Sequence, residues 1–289
     1  GCPMICGRST PSRRPPATAS STCQSWFRLR SPQPTSPWTL TGSPGWQGAA
    51  EVTTFYENEP GDNVPPPVTT VAWLAYDDRF LYVAFRCDDP DPSKIRAPYV
   101  ERDTVGSEQD FVGFILDCRN DRRSAIEFIV NPRGIHDDFV ANDATGGEDP
   151  APDFFWDSAA RITGTGWEAE LRIPFASLRY SDAPEQAWGF MLFRNYPREF
   201  RYQIENVRIP RGTNCWICHS AELTGLVGLP KGGRLVVAPY VTATENGEAR
   251  DGPGTGFVNK PVEFDAGADV KWTPNADNAV DVTLNPDFS

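Results

Sequence analysis

From position 46 onward, short apolar runs alternate with polar turns, and the densest pair lies at 110–132 (DFVGFILDCRNDRRSAIEFIVNP). Phe111 to Leu116 is almost unbroken apolar sequence. A charged and polar turn from Asp117 to Arg123 follows, and 125–130 is apolar again with Glu127 as its one charge. Two β-rich runs split by such a turn predict a hairpin, and runs this apolar suit the interior of a sandwich better than a sheet with one wet side.

The same grammar extends to both sides. Segments 71–76 and 79–87 flank Asp77-Asp78, and the second alternates Leu81, Val83 and Phe85 against Tyr82, Ala84 and Arg86. Strands are predicted again at 134–140, 154–163, 167–173, 187–195 and 201–209, with Pro174 ending one of them and a helical turn near 175–180. Glu168 and Glu170 alternate with the apolar face of their strand and are expected on its solvent side. So many strands with almost no helix predict an all-β fold, an antiparallel immunoglobulin-like β-sandwich over 45–232. After Gly233 the alternation becomes sparse and the connections long and polar (ENGEARDGPGTG), the pattern of outer-membrane barrel strands. Residues 233–289 are therefore expected to open a β-barrel and to stop short of closing it.

Residues 1–44 break this pattern. The first 50 residues hold five arginines, eight prolines and no acidic residue. They resemble a targeting segment in charge, but prolines work against its amphipathic helix, and a mistranslated or unstructured leader outside the fold is the expectation. The rest of the chain carries 22 basic against 39 acidic residues, a balance of −17 that repels phosphate backbones and makes nucleic acid a poor partner. Apolar content of 39% is enough for a packed core. Cys87, Cys118, Cys215 and Cys218 lie in the folding part, where paired disulfides and buried reduced thiols are equally open readings.

The motifs LYVAFRCDDPDP, SEQDFVGFILD, EFIVNPRG and GWEAELRIPFASLRY, in that order, resemble the sandwich domain related to family-9 carbohydrate-binding modules. The resemblance runs from Trp46 to Ser289 and is to the group in which this domain precedes an outer-membrane-type barrel; the tail DVKWTPNADNAVDVTLNPDFS resembles that barrel's opening strands. It implies a location in the periplasm or at the cell surface and outer membrane of a Gram-negative bacterium. It also implies poly- or oligosaccharide ligands, a link to polysaccharide breakdown or uptake, and the chain's own C-terminal barrel as partner. Family sites clamp a sugar between two tryptophans. Here the first clamp position falls at Ser107, a family Glu at Gly113 and a family Arg at Ile129, while Trp216 matches the second clamp.

Candidate site residues follow. Trp216, Tyr99 and Trp156 are the aromatic sugar-contact candidates, with Asp110 as a hydrogen-bonding carboxylate; for Tyr99, Phe154, Phe155 and Trp156 a hydrophobic plug under a loop is the commoner reading, with core packing expected for at least one of 154–156. Asp88, Asp89 and Asp91 form a carboxylate-rich turn suited to Ca²⁺ or simply to solvent, with Asp137-Asp138 and Asn142-Asp143 as a second oxygen cluster. Cys215-Trp-Ile-Cys218-His219 fits the c-type haem attachment pattern, with His136 or Met191 as sixth ligand, or a pair of loop cysteines with an incidental histidine. Zinc would need more ligands than Cys87, Cys118 and His136 supply. No Ser-His-Asp set stands out among two histidines, and no catalytic residue is assigned. The expected function is non-catalytic glycan binding, against a structural plug module that has lost its sugar site and a haem c protein.

Overall fold

The structure, a computed structural model, describes residues 26–28, 46–230, 234–250, 254, 256–274, 278 and 280–285. In chain order the strands are β1 (Trp26–Arg28), β2 (Ala50–Val52), β3 (Tyr56–Glu59), β4 (Thr70–Tyr76), β5 (Phe80–Asp88), β6 (Phe111–Asp117) and β7 (Ser124–Val130). There follow β8 (His136–Asn142), β9 (Gly147–Asp149), β10 (Asp157–Thr163), β11 (Gly166–Pro174), β12 (Glu185–Pro197), β13 (Arg201–Glu205) and β14 (Ala221–Val227). The last are β15 (Arg234–Thr244), β16 (Gly247–Ala249), β17 (Phe257–Asn259), β18 (Glu263–Thr273) and β19 (Val280–Leu284).

Two sheets make the sandwich. One has the order β1-β14-β12-β6-β7-β8-β9, with β13 and then β3 continuing from the far half of β12; the other runs β10-β11-β5-β4-β2. Pairing is antiparallel except between β1 and β14. The all-β, antiparallel sandwich expected from the alternation is what forms. The expected hairpin is β6–β7, and its turn closes because Asp117 accepts the Arg119 and Arg122 amides at 3.1 and 2.8 Å. In the β10–β11 turn, Gly166 has φ of +148°, and a Cβ there would lie 2.0 Å from the Cys87 carbonyl oxygen, so only glycine lets this hairpin lie against β5.

Register assigns the faces. Phe114, Leu116, Phe128, Phe190, Leu192 and Arg194 share the face turned to the second sheet, and the fully buried Trp167, Phe85 and Phe175 complete the interior. Gly113, Ile115, Glu127, Ile129, Met191 and Phe193 lie on the opposite face, which the 206–220 loop partly covers. Strand β6 is thus buried on both sides, which is why its sequence is continuous rather than alternating.

Two guanidinium groups tie the layers. Arg194 is wholly buried and donates to the Thr69 carbonyl at 3.0 Å, the Thr70 hydroxyl at 3.1 Å and the Asp88 carbonyl at 3.0 Å, all on the facing sheet or its margin. Arg198 grips Asp110 through both terminal nitrogens (2.8 and 3.1 Å), also bonds Asp89, and lies 4.1 Å over the Tyr196 ring.

Several expectations shift at element ends. Strand β8 begins at His136 because Asn131 accepts the Arg133 and Ile135 amides and turns the chain through Gly134. Strand β10 begins at Asp157, since Phe154 and Trp156 turn inward to Asp138. Strand β13 ends at Glu205, because Asn206 swings inward to accept the Leu192 amide at 2.7 Å. Glu168 and Glu170 are buried, not solvent-facing: Arg161 binds Glu168 at 3.0 and 2.8 Å, and the Trp46 indole donates to Glu170 at 3.0 Å. The leader does not lie wholly outside the fold, as β1 pairs in parallel with β14. Beyond the sandwich, β15-β18-β19 form a three-stranded sheet and β16–β17 a hairpin; no closed barrel forms among the described residues.

Replacing Arg198 by Met strands two buried carboxylates, Asp89 and Asp110, without their cation. We expect a loss of about 3–5 kcal/mol, read as a lower urea midpoint at unchanged slope. A loss under about 1 kcal/mol would show that the pairing is incidental.

Candidate functional site

The 206–220 loop is anchored by hydrogen bonds to distant segments of the chain. At its entry, Asn63 both donates to the Ile209 carbonyl and accepts the Ile209 amide at 2.8 Å. Arg211 holds the Pro60 and Gly61 carbonyls at 3.0 and 2.9 Å, with Asp62 at 3.6 Å. At its exit, the wholly buried Ile217 donates its amide to Asp143 at 2.8 Å, and Arg122 reaches the Ser220 hydroxyl at 3.0 Å. Between these anchors sits Trp216, half-buried and packed against the core.

Trp216 closes one end of a cleft of about 580 Å³ lined by Asn58, Glu59, Gln203, Glu205, Arg211 and Thr213 among others. Its indole hydrogen-bonds to Glu205, which also takes the Asn58 amide, while Gln203 donates to Glu59. Arg211 is held by its backbone acceptors and Asp62, so the free hydrogen-bonding character of the cleft comes from amides and carboxylates. An aromatic wall beside such groups suits a polyhydroxylated ring, with C–H groups on the indole and hydroxyls on the amides.

Burial pushes the Glu205 carboxyl up to about 7, against the pull of Asn58 and Trp216 and with a push from Glu59. Behind it, on the same face of the sheet, burial and the charges of Glu148, Glu205, Asp137 and Asp143 raise Glu127 well above the carboxylate range. The Oε1 atom of Glu127 has no hydrogen-bond partner among the described residues.

The structure separates most of the sequence-predicted site residues. Asp110 is fully buried and bonded to Arg198 and the Arg96 amide, where it serves the core and not a ligand. Trp156 is also buried, donating to Asp138 at 2.9 Å and stacked 4.2 Å from His136, a packing role rather than a platform. Tyr99 is 80% exposed under Arg133, and it does not line the Trp216 cleft. Only Trp216 reaches the cleft. Gly113 and Ile129 are direct cross-strand partners beside Phe193, so an apolar floor stands where the family resemblance implies a Glu and an Arg. Ser107 contributes its carbonyl to Asn195 at 2.9 Å.

The acidic turn divides among separate partners: Asp88 with Arg86 at 3.5 Å, Asp89 with Arg198, and Asp91 with Ser93 and Lys94. Among the described residues no group of three or more His, Cys, Asp or Glu side chains is placed to hold a metal ion. Cys215 and Cys218 are joined in a disulfide with Cα atoms 5.6 Å apart, and His219 contacts the Thr213 hydroxyl at 3.4 Å. Cys87 and Cys118 are both buried. Asn58, Glu59, Gln203, Glu205 and Arg211 were missed from sequence, because β3 and β13 meet only through long-range pairing. The one local signal was Glu205, a carboxylate in a run expected to be a strand.

A second cavity, about 1190 Å³, lies between the sandwich and the C-terminal sheet; of the aromatic candidates it is lined by Phe154 and Phe155, and not by Trp216, Tyr99 or Trp156.

No family model and no curated protein matches the chain. Solved structures do. A candidate carbohydrate-binding protein from Bacteroides uniformis superposes with a TM-score of 0.55 at 10% identity, covering 70% of this chain and 99% of that one. The fold is shared. This chain has the same β-sandwich fold as that protein, and 10% identity carries the fold alone. Two structures of a family-9 carbohydrate-binding module from Caldicellulosiruptor kristjanssonii, in complex with cellotriose and with glucose, align at 15 and 14% identity, each with a TM-score of 0.47. Each covers 69% of this chain, and 91 and 95% of the respective module chains.

Because folded Glu205 keeps a proton that the unfolded chain releases, it favours the folded state at acid pH. That contribution is lost as pH rises through about 7. The melting temperature should therefore fall between about pH 5 and pH 8. Glu205→Gln should flatten the part due to this group, worth up to about 3 kcal/mol; an unchanged profile would show that Glu205 titrates normally.

Proposed function

We propose that this chain binds glycans without catalysis, at the cleft closed by Trp216. The observation that carries this reading is the half-buried indole, braced by Glu205 and facing amide and carboxylate groups in a site-sized cleft. Sugar C–H groups would lie on the indole while Asn58, Gln203 and Glu59 exchange hydrogen bonds with ring hydroxyls. The carbohydrate-binding motifs of the sequence and the fold shared with the Bacteroides protein support it. A structural module without a sugar site is the alternative, and the apolar floor at Gly113, Ile129 and Phe193 favours it.

The proposed location is the outer membrane of a Gram-negative envelope, with a role in polysaccharide breakdown or uptake. Register in the β15-β18-β19 sheet puts Leu235, Val237, Val241, Phe264, Trp272, Val280, Val282 and Leu284 on one face, and Val241 and Phe264 are each 73% exposed. Tyr240, Thr242, Asp269, Lys271 and Asp281 occupy the other face, and Lys271 donates to the Asp153 carbonyl of the sandwich at 3.2 Å. Apolar outside and polar inside is the arrangement of barrel strands in lipid, and β15 and β18 have the 11 residues that a tilted crossing needs.

On a glycan array, the full chain should give a specific signal that Trp216→Ala abolishes. Signal that survives the substitution would move the site elsewhere, and silence across the array would leave the structural module. In a flotation gradient, the full chain should rise with phosphatidylethanolamine/phosphatidylglycerol vesicles, and Val241→Lys with Phe264→Lys should hold it at the bottom. Equal behaviour of the two forms would refute the lipid-facing sheet.

A further inference from the structure

The two cysteines of the 206–220 loop bracket Trp216, and no part of the glycan-binding reading uses them. Their Cα separation of 5.6 Å lies in the ordinary range for a disulfide. Cys218 is exposed, whereas Cys87 and Cys118 are buried, and burial pushes the Cys87 thiol up to about 12. Among the described residues the bond within reach of an outside thiol is therefore the one beside the tryptophan.

The loop is held firmly at its entry and again from Ile217 onward, and less firmly from Gly212 to Trp216. Entry is fixed at Ile209 and Arg211, and exit at Ile217 and Ser220. From Gly212, with its left-handed φ of +72°, to Trp216, the noncovalent restraints named by the structure are few. They are the Thr213 amide on the Pro210 carbonyl at 3.3 Å, the Thr213 hydroxyl with the Cys215 backbone and with His219, the His219 amide on the Trp216 carbonyl, and the indole bond to Glu205. The disulfide ties this segment to the anchored turn at Ile217, and Trp216 lies inside the closed ring.

We propose that the Cys215–Cys218 disulfide is a redox latch on the Trp216 cleft, opened by a dithiol reductant. The proposal rests on the glycan-binding reading for its consequence, and on the loop geometry for its mechanism. A thiolate of the dithiol attacks Cys218 Sγ, the protein S–S bond breaks, and Cys215 leaves as a thiolate that takes up a proton. The reductant's second thiol then displaces Cys218 from the mixed disulfide, so the dithiol becomes a disulfide and the protein gains two electrons and two protons. Freed of the ring, Trp216 loses its fixed presentation to the cleft, and ligand affinity falls.

The test uses the full chain labelled with 5-fluorotryptophan, its Trp216 signal assigned by Trp216→Phe. Without reductant, iodoacetamide should leave the tryptic peptide 212–231 unmodified, and with dithiothreitol it should label both cysteines. The Trp216 fluorine signal should shift on reduction and return on reoxidation. Glycan-array signal from the oxidised protein should drop about tenfold on reduction, and Cys215→Ser/Cys218→Ser should match the reduced state under both conditions. Free thiols before reduction, or a Trp216 signal that ignores reduction, would overturn the latch even if glycans bind. A positive array signal of equal strength in the oxidised and reduced protein would overturn it as well. A reversible fluorine shift with a silent array would keep the latch and discard the glycan reading, so the two failures are distinguishable, and the reductant experiment stands even where the double variant does not fold.

Discussion

Arg194 and Arg198 tie the layers of this sandwich together through buried hydrogen bonds and ion pairs. Arg194 leaves the C-terminal half of β12 and Arg198 follows its last residue, and between them they satisfy two carbonyls and a hydroxyl at the facing sheet and two buried carboxylates at the loops. Burial pushes the carboxyl of Asp110 up while Arg198 pulls it down, and Tyr196 covers both guanidiniums at 5.1 and 4.1 Å. A guanidinium can do this because its fork of donors meets planar acceptors in several directions at once. The acidic turn 88–91 is consequently fixed to the core by Asp89, and the loop ahead of β6 is fixed by Asp110.

With that end clamped, the larger sheet is free to bury both faces. One face meets the second sheet, and the other is roofed by the 206–220 loop, which sets Trp216 at the rim where β3 and β13 pair. The cleft is therefore a consequence of covering a sheet with a loop. Its polar groups come from the edge strands, where backbone pairing runs out and side chains such as Asn58 and Gln203 take over. The raised carboxyls of Glu205 and Glu127 follow from the same roof, since water is excluded from the sheet surface beneath it.

The C-terminal sheet follows a different logic. Its alternation is complete on β18 and β19, whereas β15 also turns Val236 and Ala238 to the inner side; the more apolar side is outward and the polar side faces the sandwich through Lys271 and Asp153. In water such an arrangement is unfavourable, because apolar area left exposed forgoes the main driving force of folding. The hydrocarbon surrounding proposed for this sheet would remove that cost. The two units of this chain thus solve burial in opposite senses, one inward and one outward.

Sequence alone determined the elements. Strand periodicity and turn residues such as Asp77, Asp117 and Gly166 act over a few residues, so hairpins β4–β5, β6–β7 and β10–β11 were legible from local chemistry, and the sandwich followed from their number. Trp216 was legible too, through motif resemblance. Only the tertiary structure decided which polar residues are buried and with whom. Asp110, Trp156, Glu168 and Glu170 look like surface groups in a strand pattern and lie inside because Arg198, Asp138, Arg161 and Trp46 arrive from distant segments. Glu205 joins Asn58 and Trp216 for the same reason. A side chain's partner across 147 residues leaves no periodicity in the sequence, because contact between them is set by the packing of whole sheets and not by local backbone preference.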